Sequence, residues 1–210
     1  MSKKFPKTTK TFSDVKIIEK HSFIDISSYL GKHRSISSPE MQSLTIGTRQ
    51  NLSIIHPNTT NSYFARLALV FSQLSKTKTH ICFISTMSHN GNGRTISDKS
   101  IEYIAKTLGH SCCTGYWIPG TLTNWNQTTK SKNTKKNTNG IIMYPDVLFI
   151  LDPWNNQLAI REANLLNIPV FACVESDTFI NGIDYIIPMN VESEDDIYRL
   201  ISFIMKSLQM

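Results

Sequence analysis

Residues 145–174 read PDVLFILDPWNNQLAIREANLLNIPVFACV, and this stretch decides the fold. Val147 to Leu151 and Val170 to Val174 are short, nearly continuous apolar runs. A strand so uniformly apolar has both faces buried, the mark of a parallel sheet covered by helices. Between the two runs, Asn156 to Asn167 has helical spacing, and Pro169 then forces the chain into extension. Strand, helix and strand in this order make one βαβ unit.

The same alternation continues outward in both directions. Leu52 to His56, His80 to Ser85 and Asp184 to Ile187 read as further strands, and Cys112 to Tyr116 as a weaker one. Asn58 to Lys76 sets Phe64, Leu67, Ala68, Phe71 and Leu74 on one stripe, with Asn58, Thr59 or Thr60 as its cap. Ser97 to Leu108 carries Ile101, Ile104, Ala105 and Leu108 on one face and stops at Gly109. The last helix opens with Ser193 and Asp196 in a capping-box-like pair and continues with Ile197, Leu200, Ile201, Ile204 and Leu208. The expected fold is a three-layer α/β/α domain around a sheet of about five mainly parallel strands.

Charge divides the chain. Residues 1–144 hold 19 of the 22 Lys+Arg and 6 of the 16 Asp+Glu, so 19 − 6 = +13; residues 145–210 hold 3 and 10, so 3 − 10 = −7. The first part suits phosphate, and the second suits solvent or basic protein neighbours. Residues 1–22 form a basic extension that is either a transit segment or an arm that orders on RNA. No apolar run approaches the about 20 residues of a membrane-spanning helix, so no membrane partner is expected. Cys82, Cys112, Cys113 and Cys173 lack metal-ligand spacing, and adjacent Cys112 and Cys113 point to opposite sides of a strand. No metal and no cofactor are expected.

Two catalytic readings are weak. Gly91 and Gly93 precede Arg94 and a helix, but the third glycine of a dinucleotide fingerprint and the lysine of a P-loop are absent. Arg94 remains a candidate phosphate contact. Asp146 and Asp152 flank a strand, and Glu162, Glu175 and Asp177 are placed to approach its C-terminal end, where open α/β sheets bind ligands. No histidine pairs with a nucleophile in a known motif. A nucleotide-binding α/β enzyme is the alternative reading; no catalytic residue and no small-molecule substrate are expected.

A recognition surface is the stronger reading. Trp117 and Trp125 bracket Pro119-Gly120, Thr121, Thr123 and Asn124. Residues 126–140 follow as a flexible basic loop with Lys130, Lys132, Lys135 and Lys136 and no acid. Aromatic rings beside hydrogen-bonding groups and lysines are what irregular RNA selects. Packing of either tryptophan as a lid over the sheet edge is the competing account.

The run Tyr116 to Trp125 resembles the signature of the small-subunit ribosomal protein S2 family, Arg-Trp-Leu-Gly-Gly-(small)-Leu-Thr-Asn-Trp, with Trp117, Gly120, Leu122, Thr123, Asn124 and Trp125 in register. Pro145 to Asp152, Ala159 to Asn164 and Asn167 to Ala172 resemble the second signature, and Asp184 to Asn190 resembles Asp-(Phe/Tyr)-x-Ile-Pro-x-Asn. Leu30 to Arg34, with Lys32 and Arg34, and Ile46 to Asn51, with Arg49 and Asn51, are similar to Gly-His-x-x-Arg and Phe-Gly-x-Arg-Asn. The resemblance implies one flavodoxin-like (Rossmann-like) domain over 23–210 with no catalytic role. It implies binding to small-subunit ribosomal RNA and neighbouring ribosomal proteins through these residues. Pro119 stands where the family has Gly, Tyr116 where it has Arg, and residues 126–144 are too short and polar for the family's helical hairpin. That loss, with drift toward Asn, Ile and Lys, points to a mitochondrial ribosome.

Overall fold

The computed structural model describes residues 26–85, 96–130, 141–191 and 193–209. Five strands form a parallel sheet: β4 (Ile81–Ser85), β5 (Ser111–Thr114), β6 (Val147–Ile150), β7 (Val170–Val174) and β8 (Tyr185–Pro188). Their order across the sheet is β5-β4-β6-β7-β8, the flavodoxin-like 2-1-3-4-5 winding. The three-layer expectation therefore holds.

Strand pleating explains why these runs read as continuous apolar sequence. Ile81, Phe83, Val147, Phe149, Phe171 and Cys173 enter one core, while Cys82, Ile84, Leu148, Ile150, Val170 and Ala172 enter the other. The first core is covered by three helices: α1 (Pro57–Lys76), α2 (Ile96–Leu108) and α5 (Glu194–Leu208). Phe71 is central there, with ring centroids 6.0 Å from Phe149 and 5.8 Å from Phe171. The second core has α4 (Gln157–Leu165) as its helix, and Trp117, Leu122 and Ile141 complete the cover.

Two expectations about the strands need correction. Leu52 to His56 lies outside the parallel sheet: β3 (Leu52–Ile55) is the centre of an antiparallel three-stranded sheet with β1 (Leu30–His33) and β2 (Thr45–Arg49). Burial alternates along β3, with Ser53 and Ile55 buried, Ile54 partly so and Leu52 exposed, rather than being complete on both faces. Cys112 to Tyr116, read as weak, is a full edge strand at Ser111–Thr114 in register with β4. Cys113 enters the core under α4 and Cys112 packs toward the other, as adjacency on a strand requires.

Capping also differs. The first long helix is capped by His56, whose ring accepts from the Asn58 N–H at 3.2 Å, not by Asn58, Thr59 or Thr60. Pro57 is preset for the first helical position, so the helix starts before those residues. Thr60 instead donates to the Pro188 carbonyl at 3.0 Å. At the last helix Ser193 makes no side-chain cap bond. Buried Asp196 accepts from the Ser28 hydroxyl instead. The helix expected over Asn156 to Asn167 is shorter, because Asn167 takes a left-handed conformation, φ 54°. Part of the expected basic loop is helical, as α3 (Trp125–Lys130).

The small sheet docks on the loop after β7. Lys32 N–H donates to Ser176 Oγ at 2.7 Å and Ser38 N–H to the Ser176 carbonyl at 2.8 Å. Gly31 makes the approach possible, because a Cβ there would lie 2.6 Å from Ser176 Oγ.

Candidate nucleic-acid interface

The segment after β5 is built around one carboxylate. Glu162, buried on α4, accepts from four N–H groups: Trp117 Nε1 at 3.1 Å, Gly120 at 2.7 Å, Leu122 at 2.9 Å and Thr123 at 3.3 Å. Two carboxylate oxygens offer about four acceptor sites, so these donors fill the group. Ile118 to Thr121 is a turn closed by Thr121 N–H to the Ile118 carbonyl at 3.2 Å, with Pro119 and Gly120 at its centre. Gly120 has φ 85°, which a turn of this kind demands. The Thr121 hydroxyl also donates to the Ile118 carbonyl, at 2.6 Å.

This construction divides the expected site residues. Trp117 and Thr121 are buried and hold the segment from within, which agrees with the packing account of Trp117. Thr123 and Asn124 are exposed beside exposed Tyr116 and Ile118. Trp125 is half-buried, its ring edge-on to Tyr144 at 5.6 Å and 81°. Asn124 N–H donates to the Gly120 carbonyl at 2.9 Å and Gln127 N–H to the Asn124 carbonyl at 3.0 Å, so the chain turns directly into α3. Lys130 ends that helix. Lys132, Lys135 and Lys136 lie outside the described residues, as do Gly91, Gly93 and Arg94.

A second group gathers at the hairpin of the small sheet. Arg49 pairs with Leu52 across the two-residue turn Gln50-Asn51, with φ 50° and 63°. Two successive positive φ values define a primed turn, and asparagine enters the left-handed region more readily than most residues. Arg34, Arg49 and Asn51 are all exposed, and Arg34 N–H donates to the Asn51 carbonyl at 2.8 Å. Lys32 is drawn elsewhere: its ammonium lies 3.4 Å from Glu175. The two groups attach at different places, one after edge strand β5 and the other over the loop that follows β7.

The acids weighed for catalysis are separated. Asp152, Glu175 and Asp177 line a cleft of about 250 Å³ at the C-terminal edge, with Trp154, Asn155 and Thr178. Burial pushes the Glu175 carboxyl above its ordinary value, the Val191 N–H and Lys32 pull it down, and Asp177 pushes it up. Asp146 lies at the opposite edge, where its carboxylate accepts from the His80 backbone N–H at 2.8 Å. His80 Nε2 and the Ser111 hydroxyl are 2.7 Å apart, which superficially suggests a nucleophile and base. However, Ser111 is fully buried and its oxygen accepts from the N–H groups of Ile142 and Met143 at 3.0 and 3.4 Å. This hydroxyl ties the returning chain to the sheet.

Two features were missed in the reading of the sequence. Glu162 stood out only as an acid near the C-terminal end of the sheet, whereas its acceptor role joins residues some 40 positions apart and leaves no trace in spacing. Trp154 and Phe179 stack, with centroids 5.8 Å apart, although they sit on different loops; each is a large aromatic just beyond a strand end.

A family model described as ribosomal protein S2 matches residues 23–143 and 127–210. The chain is 26% identical over 216 residues to the small ribosomal subunit protein uS2 of Baumannia cicadellinicola subsp. Homalodisca coagulata, covering 87% of this chain and 88% of that protein. It is 26% identical over 230 residues to the protein of the same name from Buchnera aphidicola subsp. Acyrthosiphon pisum (strain Tuc7), covering 93% of this chain and 90% of that protein. A third, from Buchnera aphidicola subsp. Schizaphis graminum (strain Sg), matches to the same extent.

Proposed function

This chain belongs to the ribosomal protein S2 family, and from that premise we propose that it is a structural constituent of the small subunit of a mitochondrial ribosome, where it binds small-subunit ribosomal RNA and adjoining ribosomal proteins. The family is structural rather than enzymatic, and its named relatives are small-subunit proteins.

The observation that carries the RNA reading is the Glu162-held segment. Four N–H groups turn inward onto one buried carboxylate, so the outward groups of Thr123 and Asn124 are fixed before any ligand arrives. A surface ordered in advance loses less entropy on binding. Its hydroxyl and amide suit sugar, phosphate and unpaired base edges. Lys130, Lys132, Lys135 and Lys136 then supply neutralising charge, and Arg34, Arg49, Asn51 and Arg94 form further contacts. Trp117 and Thr121 serve from within, and Lys32 divides its charge with Glu175.

Residues 23–210 act as one domain, and residues 1–22 as a basic extension, either a transit segment or an arm that orders on RNA. The organellar assignment rests on drift toward Asn, Ile and Lys and on the short segment 126–144, where the two family matches overlap at 127–143. The enzyme alternative is disfavoured by the cleft, where Asp152 and Asp177 repel a phosphate while Lys32 is engaged by Glu175.

A tagged chain followed through cell fractionation and a sucrose gradient tests both levels. It is expected in the mitochondrial fraction, sedimenting with small subunits. Sedimentation with small subunits outside mitochondria would remove the organelle and keep the ribosome. A chain found free of ribosomes would remove both.

A further inference from the structure

Trp154 and Phe179 face solvent together. Their rings lie 5.8 Å apart at an interplanar angle of 20°, and they are 57% and 48% exposed. One ring comes from the turn after β6 and the other from the loop after β7. A contiguous exposed aromatic surface marks a contact site more often than solitary exposed side chains do.

The charge beneath the rings identifies the partner. Trp154 lines the same cleft as Asp152, Glu175 and Asp177, and among the described residues no basic side chain lines it. Lys32 reaches in from β1 to answer Glu175. Residues 145–210 add to this field with their 10 acids against 3 bases. Phosphate is repelled by such a site, which disfavours nucleic acid as the occupant of these rings. A guanidinium fits both parts: its planar cation stacks on an indole face, and its forked N–H groups match carboxylates.

We propose that the Trp154–Phe179 face and the cleft below it form a docking site for an arginine-bearing basic segment of another protein. The guanidinium stacks on the exposed Trp154 face and turns its N–H groups toward Asp177 and toward Asp152, which also accepts from Asn155. The inference rests on the ribosomal reading only for the neighbour's identity; the surface itself is tested without a ribosome.

The test is a titration of the full chain with a short fluorescent peptide of alternating arginine and glycine, alongside a fluorescent oligouridylate of equal length. Phe179→Ala and the double variant Asp152→Asn, Asp177→Asn should each weaken peptide binding by about tenfold. Circular dichroism should stay unchanged, RNA binding should not fall, and Asp195→Asn on the exposed start of α5 should leave peptide affinity as it was. Phe179 is half exposed, so its truncation tests the rings without the folding risk of Trp154→Ala. Peptide affinity that survives both variants overturns the proposal. Loss of RNA binding with peptide binding intact also overturns it and makes the rings a base-stacking platform. Failure here with the chain still on small subunits removes this surface and leaves the ribosomal role standing.

Discussion

The indole Nε1–H of Trp117 donates to Oε1 of Glu162 across 3.1 Å, fastening the segment that leaves β5 to the middle of α4. The same carboxylate accepts from Gly120, Leu122 and Thr123. One acid therefore decides the shape of the whole turn, and the surface offered to RNA is a consequence of it.

Glu162→Ala strands four donors, and each buried donor left unsatisfied costs about 1–3 kcal/mol before water or rearrangement compensates. We expect a loss above about 3 kcal/mol, read from urea unfolding. Trp117→Phe keeps a buried ring and removes one N–H, so its loss should stay near about 1–2 kcal/mol. Equal, small losses for both would show that the carboxylate does not organise the segment.

Thr123→Ala and Asn124→Ala change exposed side chains. The first should alter stability by less than about 0.5 kcal/mol, and the second by no more than the about 0.5–2 kcal/mol of a helix N-cap, since Asn124 directly precedes α3. Their RNA affinity should fall all the same. Thr121→Ala should do the reverse through its buried hydroxyl, weakening the turn first. Filter binding with small-subunit RNA, beside thermal melts, separates the two kinds of residue. Undiminished RNA binding by the Thr123 and Asn124 variants would remove the outer side of the turn from the interface.

The four lysines of the basic segment are expected to act through charge. Replacing Lys130, Lys132, Lys135 and Lys136 together should reduce the slope of log affinity against log salt by about 3, or about 0.7–0.9 for each phosphate that is no longer neutralised. An unchanged slope excludes the segment.

Acid should weaken the fold through His80 and His110. Burial lowers the imidazole pKa of both; Asp146 partly restores that of His80, while His80 further lowers that of His110. Between these lowered values and the unfolded value of about 6.5, the unfolded chain holds more protons, so stability rises with pH. Their contribution is complete above the unfolded pKa and is lost progressively as pH falls from there through the lowered folded pKa. Glu175 runs the opposite way, since its raised carboxyl favours the fold at low pH and loses that contribution as pH rises. The double variant His80→Gln, His110→Gln isolates the histidines: its stability should fall less than that of the native chain between pH 7 and 5. Parallel curves would show that burial does not matter to their titration.

What the sequence revealed follows from where burial was complete. The unit at residues 145–174 was legible because Leu148, Ile150, Val170 and Ala172 have no exposed face, so no polar alternation interrupts them. The small sheet was not: Thr45–Arg49 is exposed along most of its length and has no apolar period to read. Edge strand Ser111–Thr114 read as weak because only alternate residues are buried. The site was half legible. Trp117 to Trp125 stood out as a motif, but which side chains face inward depended on Glu162, fixed by the packing of α4 and invisible in spacing.

The hairpin turn offers a separation of fold from contact. Asn51→Gly retains the positive φ that the turn needs, so stability should hold or rise by up to about 1 kcal/mol. RNA affinity should drop, because the side chain beside Arg34 and Arg49 is gone. A variant that melts as the native chain does and binds RNA as tightly would take Asn51 out of the interface.

Photo-crosslinking from position 124 shows whether this turn meets RNA. With a photoreactive amino acid replacing Asn124, and the chain incorporated into small subunits in its native compartment, irradiation should yield a covalent adduct to small-subunit ribosomal RNA. Normal incorporation with adducts to protein alone would contradict the assignment of this turn to RNA.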